Sequence, residues 1–332
     1  MVPSGDGVLQ IEPTDHCNLA CRMCAPHAEG WETVHGVPKG YLDFDHYRRI
    51  LDRLVEDRCR FDHVILQWLG DPSLHPRLEE MVGEAGRRLD TGYVRFDTNG
   101  ILMTEARMER LLAEKAPGRP LLVVFTIDAA TPETYTRVKG RDALPRVRRH
   151  VRALLALRRH APVNVQVQFV VQPGNAHEAE PFLRYWSDAL HCHGFGHGHS
   201  EILFKRLSVG GGAAGQADAD ALYDRATERI EARQEEGFSV VRWEARPWQR
   251  DDAHTERGAC PALWYTPVIR QDGQLQMCCA DMRGELVLGD VATQGYRALW
   301  DGAKARELRR QHQAGQFHGP CAYCGGINWY SM

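Results

Sequence analysis

The chain has 332 residues, of which 43% are hydrophobic, and its net charge is −3. A chain of this length buries roughly three quarters of its unfolded surface, so its core needs no disulfide framework. The near-neutral charge argues against a protein that binds nucleic acid through phosphate attraction. The absence of a signal peptide and of a long apolar run predicts a protein of the reducing cytoplasm. The ten cysteines therefore call for a chemical explanation.

Strand-like and helical patterns alternate along the first two thirds of the chain. Apolar runs typical of strands occupy residues 7–11, 63–69, 93–97, 120–127, 163–171 and 201–207. Apolar residues at helical spacing occupy 42–56, 76–89, 104–114, 143–160 and 176–190. This alternation predicts an α/β fold of parallel βαβ units, with functional residues on the loops that follow the strands. A Gly- and Ala-rich stretch from 208 onward predicts a linker, followed by a helix near 219–235.

Three cysteines lie close together directly after the first predicted strand. Cys17, Cys21 and Cys24 supply three thiolates to an iron–sulfur cluster that needs four ligands, so one iron stays open to bind another molecule. A zinc site is the alternative, with His16 or His27 as the fourth ligand. The spacing therefore predicts a metal centre on the loop after the first strand.

A second set of four cysteines occupies the C-terminal region: Cys260, Cys278, Cys321 and Cys324. A hairpin is predicted between the first two, with strands at 266–270 and 274–278 and an Asp-Gly pair in its turn. A helix at about 296–313 then leads back to the last two cysteines, so we expect the four thiolates to meet. From spacing alone, a zinc ion is the favoured occupant.

The first cysteine set, with Met23 just before the third cysteine, resembles the CxxxCxxC signature of the radical S-adenosylmethionine (SAM) superfamily. The C-terminal set resembles the twitch domain, a shortened SPASM domain with one auxiliary 4Fe–4S cluster. This resemblance implies a partial (β/α)6 barrel at 1–207, a linker and helix at 208–255 and a twitch domain at 256–332. It also implies SAM and two 4Fe–4S clusters as cofactors, and a low-potential flavodoxin or ferredoxin as reductant.

The same resemblance assigns several residues to SAM, most of them at strand ends. The segments at 70–72, 98–100 and 126–128 resemble family segments that lie near the SAM amino group and ribose. Leu69 and Asp71 depart from the GGEP pattern of the family, which leaves main-chain carbonyls to receive the amino group. The resemblance implies that SAM is bound by Met23, Gly70, Asp71, Pro72, Asn99, Thr126, Asp128 and Gln168, with Lys205 as a second candidate for its carboxylate.

The whole pattern is similar to twitch enzymes of aminoglycoside biosynthesis, of the 2-deoxy-scyllo-inosamine dehydrogenase type. That similarity implies abstraction of a hydrogen atom from a hydroxyl-bearing carbon of a sugar, aminocyclitol or aminoglycoside. The carbon is then oxidised to a ketone, with the auxiliary cluster as electron acceptor. Neither nucleic acid nor a membrane is expected as a partner. Candidate bases for the hydroxyl proton are Lys205, Arg206, Glu12 and Asp281.

A redox-neutral epimerase acting on the same substrate class is the alternative outcome. Cys279 follows Cys278 in a predicted strand, so its side chain is expected to point to the opposite side. There its thiol would donate a hydrogen atom to the substrate radical, whereas the simpler interpretation is a small packed thiol. A peptide-modifying radical SAM enzyme and a zinc-binding, non-catalytic module are two further alternatives.

Overall fold

The computed structural model describes residues 5–28, 33–34, 36–159, 161–193, 198–208, 213–235, 237–243, 258–322 and 324. The chain divides into two compact units. The first comprises Met1–His16, Glu32–Val94 and Ala245–Met332, and the second comprises Cys17–Trp31 and Arg95–Glu244. Parts of the predicted linker, at 209–212 and 244–257, lie outside the described residues.

The elements are numbered in chain order. The strands are β1 (Val8–Ile11), β2 (Thr33–Val34), β3 (Val37–Pro38), β4 (Arg60–Ile65), β5 (Asp90–Thr98), β6 (Leu121–Thr126), β7 (Asn164–Val171), β8 (Ser200–Arg206), β9 (Arg233–Glu235), β10 (Phe238–Arg242), β11 (Val268–Ile269), β12 (Gln274–Gln276) and β13 (Val287–Asp290). The α-helices are α1 (Ala25–Ala28), α2 (Phe44–Glu56), α3 (Leu78–Arg88), α4 (Glu105–Glu114), α5 (Pro132–Lys139), α6 (Leu144–Leu157), α7 (Ala179–His193), α8 (Ala213–Thr227), α9 (Ala262–Tyr265), α10 (Val291–Gln294), α11 (Tyr296–Trp300) and α12 (Ala303–Gln313).

In the first unit, the C-terminal hairpin extends the same sheet as the first strand. The strand order is β13-β12-β11-β1-β4. β1 runs parallel to both β4 and β11, with Gln10 opposite Val268, while β11, β12 and β13 pair antiparallel. The predicted hairpin is present, but its attachment to β1 had no local signal in the sequence. The carboxyl end of β1 therefore lies beside the C-terminal region.

Helix α2 shows why the predicted helices form where they do. Asp43 caps its first turn by accepting a hydrogen bond from the main-chain amide of His46 at 2.8 Å. Apolar residues then recur at helical spacing, and Tyr47, Ile50 and Leu54 are fully buried. Burial of each such side chain contributes about 1.5–3 kcal/mol to stability.

The strands of the second unit are mostly parallel. β5 begins in the first unit and ends in the second, and the order onward is β5-β6-β7-β8-β10-β9. β6, β7, β8 and β10 pair in parallel, whereas β9 pairs antiparallel with β10. The sequence predicted a linker and then a helix near 219–235, which is wrong at its end, because α8 ends at Thr227 and β9 occupies 233–235. β10 and the short helix α5 were not predicted. The predicted α/β class with parallel strands is confirmed.

The two faces of β7 differ in chemistry. Phe169 packs against Phe182 of α7 and Phe204 of β8, with ring centroids 4.8 and 5.7 Å apart. The alternate residues Gln166 and Gln168 lie on the opposite face of the strand. The apolar face thus fixes the helix layer and leaves a polar face available for a ligand. Among the described residues, no helix is long and apolar enough to cross a membrane.

Candidate active site

The first cysteine set forms a loop in the second unit, between β1 and α1. Cys17, Cys21 and Cys24 are all reduced and partly exposed. The amide of Cys24 donates to the carbonyl of Cys21 at 3.0 Å, which closes a turn within the loop. The amide of Arg22 donates to the carbonyl of Val138 at 3.2 Å, so the end of α5 supports the loop from outside. Three soft thiol donors on one loop suit iron–sulfur ligation.

The side chain of Asn99, which follows β5, contacts this loop. Its amide nitrogen donates to the side-chain oxygen of Asn18 at 2.7 Å and lies 3.9 Å from the sulfur of Cys17. Its amide oxygen accepts from the main-chain amide of Ile101 at 3.0 Å, which fixes the orientation of the side chain. Asn99 therefore orients the cysteine loop, and its predicted contact with SAM stays a prediction.

Met23 lies between the second and third cysteines and is partly exposed. Its sulfur accepts a hydrogen bond from the side-chain amide of Gln172 at 3.4 Å, from the loop after β7. A thioether held at a fixed position with an open side suits contact with a flat aromatic base. The predicted contact between Met23 and adenine stays a prediction.

A buried ion pair lies beside the cysteine loop. One of its partners, Lys139, was not predicted to have a role. Lys139, the last residue of α5, places its ammonium 2.5 Å from the carboxylate of Asp128, and both side chains are buried. Burial opposes the charge of Lys139, but attraction to Asp128 and to the thiol of Cys21 raises its pKa above the ordinary value. The other carboxylate oxygen of Asp128 accepts from the main-chain amide of Val170 at 2.6 Å. Both oxygens thus have internal partners, and the predicted contact of Asp128 with the ribose stays a prediction.

Thr126 and Gln168 lie side by side on β6 and β7, paired across the two strands. The hydroxyl of Thr126 donates to the carbonyl of Thr98 at 3.5 Å. Gln168 is buried, and its amide oxygen has no hydrogen-bond partner among the described residues. A buried, unpaired acceptor is costly unless a ligand satisfies it. Gln168 is therefore the predicted SAM residue whose surroundings fit a ligand best.

The loop after β4 carries the other predicted SAM residues, in the first unit. Gly70 passes so close to the segment 14–16 that an added Cβ would lie 2.6 Å from the carbonyl oxygen of His16. The carboxylate of Asp71 accepts from the amide of Ser73 at 2.9 Å and caps the short 3-10 turn that starts at Pro72. Asp71 thus shapes the loop, and Gly70 allows its close approach.

Glu12 follows β1 and is almost fully buried. One carboxylate oxygen accepts from the amide of Leu69 at 3.0 Å and the other from the amide of Gln271 at 3.3 Å. Burial raises the pKa of Glu12 from 4.5 to about 8, against the opposing effect of these hydrogen bonds. The side chain therefore links β1 to the loop after β4 and to the β11–β12 turn.

The second cysteine set lies in the first unit, and all four thiols are reduced. Cys278 is buried, while Cys260, Cys321 and Cys324 are partly exposed. The amide of Cys260 donates to the ring of His312 on α12 at 3.1 Å, and the amide of Ala280 donates to the sulfur of Cys278 at 3.4 Å. Thiols on three separate segments of one unit suit a cluster held entirely by protein ligands.

Within the described ranges, no three His, Cys, Asp or Glu side chains converge tightly enough to hold one metal ion. In a 4Fe–4S cluster each thiolate binds a different iron, so the sulfurs stand farther apart than the four ligands of one zinc ion. The donor chemistry of both sets fits clusters.

The strand predicted at 274–278 is wrong at its carboxyl end, so it does not set the direction of the Cys279 side chain. β12 ends at Gln276, and both cysteines lie in the turn that follows, so the alternation of side chains along a strand does not apply. Interaction with Cys279, together with burial, raises the pKa of Cys278 well above its ordinary value. The carbonyl of Cys279 accepts from the indole nitrogen of Trp68 at 2.9 Å, a contact that the sequence did not predict.

Two of the other base candidates are held in internal contacts. The carboxylate of Asp281 accepts from the amides of Glu285 and Leu286 at 3.0 and 2.7 Å, which shapes the turn after β12. Arg206 pairs with Asp220 and Asp224 of α8 and lies over the ring of Tyr223. Lys205 differs, because its ammonium lies 4.9 Å from the centre of the Trp243 ring, on the polar face of β8.

Two family models match the chain. The model of the SPASM iron–sulfur cluster-binding domain matches residues 260–325. The model of the Radical SAM superfamily matches residues 11–185, which is more than half of the chain. The chain belongs to the radical SAM superfamily. Radical SAM proteins use SAM and a 4Fe–4S cluster, and the SPASM match adds further iron–sulfur ligation, so the predicted kinds of cofactor are confirmed.

Curated relatives match this radical SAM chain over part of their length. A tungsten-containing aldehyde ferredoxin oxidoreductase cofactor-modifying protein of Pyrococcus furiosus is 28% identical over 182 residues, 53% of this chain and 47% of that protein. A GTP 3′,8-cyclase of Synechococcus sp. is 28% identical over 137 residues, 40% of this chain and 35% of that protein. The chain thus spans less than half the length of these relatives.

Solved structures are similar over nearly the whole radical SAM chain. BtrN in complex with AdoMet and 2-DOIA gives a TM-score of 0.54 at 14% identity, covering 98% of this chain and 95% of BtrN. Native anSMEcpe with bound AdoMet gives 0.62 at 18% identity, covering 90% of this chain and 82% of anSMEcpe. At these identities the likeness shows the fold, and it confirms the predicted radical SAM barrel with a small C-terminal region.

Proposed function

We propose that the chain oxidises a hydroxyl-bearing carbon of a sugar, aminocyclitol or aminoglycoside to a ketone, as a radical SAM enzyme with one auxiliary 4Fe–4S cluster. The observation that carries this proposal is the C-terminal set of four reduced cysteines, Cys260, Cys278, Cys321 and Cys324. Four thiolates suffice for one auxiliary cluster with no open iron. The end-to-end fold likeness to BtrN, solved with AdoMet and 2-DOIA, supports the same assignment.

The cofactors supply the radical chemistry, and the chain supplies their ligands and the surroundings of the substrate. When bound, SAM and the clusters supply a 5′-deoxyadenosyl radical and an electron acceptor, so the substrate carbon loses a hydrogen atom and an electron while its hydroxyl loses a proton. Cys17, Cys21 and Cys24 would hold the SAM-binding cluster, with Asn99 orienting their loop. Gln168 would accept a hydrogen bond from SAM through its amide oxygen, which has no partner among the described residues.

Lys205 is the candidate base that we favour. Both carboxylate oxygens of Glu12 and of Asp281 accept main-chain amides, so neither is directed at a substrate. Arg206 is held by two aspartates and keeps its proton at any ordinary pH. Lys205 lies on the same face of β8 as the polar residues that continue from β7.

The test is turnover of the reconstituted enzyme with SAM, a chemical reductant and a panel of aminocyclitols and amino sugars in deuterated water. We expect a ketone, released with one 5′-deoxyadenosine per turnover, and loss of the ketone in the Lys205→Met variant. Solvent deuterium at an inverted carbon, without a ketone, would instead establish the epimerase. Comparing the Cys279→Ala variant would show whether that thiol is the hydrogen donor, which stays a prediction.

Two outcomes would overturn the proposal altogether. Release of 5′-deoxyadenosine only with a peptide would indicate a peptide-modifying enzyme. Stoichiometric zinc with no iron after anaerobic purification would indicate a zinc-binding module, because two 4Fe–4S clusters require about eight iron atoms per chain.

A further inference from the structure

The carboxylate of Glu12, directly after β1, accepts hydrogen bonds from two separate main-chain amides, that of Leu69 before Gly70 and that of Gln271 in the β11–β12 turn. Glu12 itself is fixed by its own main chain, since its amide donates to the carbonyl of Ile269 at 2.8 Å. The side chain is therefore held at its base and at both oxygens. A carboxylate in this arrangement sets the position of the segments that it binds.

The charges around Glu12 do not neutralise it by direct pairing. Asp15, on the same segment, disfavours its ionisation, and Arg270 of β11–β12 favours it. Arg270 is itself bonded to Asp272 at 2.6 Å. Among the described residues, the hydrogen-bond partners of the Glu12 carboxylate are the two main-chain amides. Burial of a carboxylate without a bonded cation is costly, which suggests a role beyond stability.

The loop that Glu12 holds is the one predicted to receive the SAM amino group. Trp68 bonds to the carbonyl of Cys279 at 2.9 Å, Leu69 donates to Glu12, and the amide of Asp71 donates to the carbonyl of His16 at 2.8 Å. Three residues of one short loop are thus tied to two segments of the first unit, residues 12–16 and the turn at Cys279. The Leu69 bond is the central one, directly before Gly70.

We propose that Glu12 is a positioning residue for SAM: its carboxylate fixes the main chain at Leu69 and Gly70 and ties that loop to the turn at Gln271. This proposal rests on the proposed use of SAM by the loop after β4. The main-chain carbonyls there can receive an ammonium group only if the loop keeps its conformation. Glu12 would do so without touching SAM or the substrate, which separates it from the predicted role as a base.

Hydrogen–deuterium exchange of the reconstituted holoenzyme tests the positioning directly. In the Glu12→Ala variant we expect the amides of Leu69 and Gln271 to exchange together, each about tenfold faster or more, because both amides lose their hydrogen-bond acceptor. Glu178→Ala is the matched control. Glu178 is also a buried carboxylate that accepts two main-chain amides, of Ala130 and Thr131 at 2.6 and 3.1 Å, but it lies in the second unit. Its change should affect exchange at 130–131 and leave 69 and 271 protected.

SAM binding provides the functional readout, measured as the SAM-induced change in the electron paramagnetic resonance spectrum of the reduced cluster. We expect the apparent Kd for SAM to rise about tenfold in Glu12→Ala with iron content unchanged, and to recover in part in the isosteric Glu12→Gln. If Glu12→Ala fails to fold, Glu12→Gln alone must show faster exchange at one of the two amides and weaker SAM binding.

Wild-type exchange and wild-type SAM affinity in both variants would overturn the proposal. Neither readout contains the substrate, so a wrong substrate class would leave this result unchanged. Conversely, a failure of Glu12 to influence SAM would not affect the detection of a ketone. The two proposals can therefore fail separately.

Discussion

At the scale of single residues, Glu12 makes stability depend on pH in an unusual direction. Its pKa rises from 4.5 in the unfolded chain to about 8 in the fold, so the folded state holds the proton more tightly. The contribution of Glu12 to the free energy of unfolding is therefore greatest below pH 4.5. It falls by about 1.4 kcal/mol per pH unit as the pH rises from 4.5 towards 8. The raised pKa of Asp15 acts in the same direction.

We expect Glu12→Gln to remove the contribution of this carboxyl group to the pH dependence of stability. Thermal unfolding of wild type and variant between pH 5 and pH 8.5 measures it, and the variant should show the smaller fall in Tm over that window. Parallel curves for the two proteins would mean that the carboxyl does not titrate there.

The Lys139–Asp128 pair makes a second prediction at this scale. Lys139→Met leaves a buried carboxylate without its cation, which costs about 3–5 kcal/mol. The double variant Lys139→Met with Asp128→Asn removes both charges and should recover much of that loss. Urea unfolding of the single and double variants checks this, and equal stability of the two would contradict the interpretation as a buried ion pair.

At the scale of elements, the loop after β4 depends on the absence of a side chain at Gly70. Gly70→Ala would force the loop away from the carbonyl of His16, since main chain cannot yield as a flexible side chain does. We expect weaker SAM binding, by about tenfold or more, from the loss of loop geometry. Gly258→Ala is the control, because an added Cβ there meets nothing within 4 Å. Equal SAM affinities for the two variants would show that the close approach is unimportant.

The elements that the sequence could predict are those with a strong local pattern. The six main strands and helix α2 follow hydrophobic periodicity, so they appear within a few residues of the predicted ranges. Helix α5 was not predicted because it is short and only weakly amphipathic. The pairing of β11 with β1 was not predicted because the two strands are far apart in the sequence. Non-local pairing leaves no periodic trace in a single sequence.

The candidate site shows the same division. The cysteine ligands could be predicted because their chemistry and spacing are local. The roles of Glu12, Asp128 and Asp281 could not, because each carboxylate is defined by partners from other segments. The strand that was predicted to orient Cys279 ends two residues before Cys278, since the chain turns at the cysteine pair. A pattern of residue types thus identifies ligands better than it identifies orientation.

At the scale of the whole molecule, the chain is a radical SAM barrel sequence followed by a second iron–sulfur region. We propose that this second region accepts an electron, which makes the net reaction an oxidation. A redox-neutral reaction would not need such an acceptor. The presence of Cys278 in the second set and of Cys59, a buried thiol outside both sets, allows a matched comparison.

The most direct measurement is the ratio of ketone formed to 5′-deoxyadenosine released by the reconstituted enzyme with its substrate. We predict a ratio close to one for wild type and for Cys59→Ser. We predict that Cys278→Ser still releases 5′-deoxyadenosine but forms little ketone. A reaction in Cys278→Ser with the wild-type ratio, or a wild-type product with no ketone, would contradict the account.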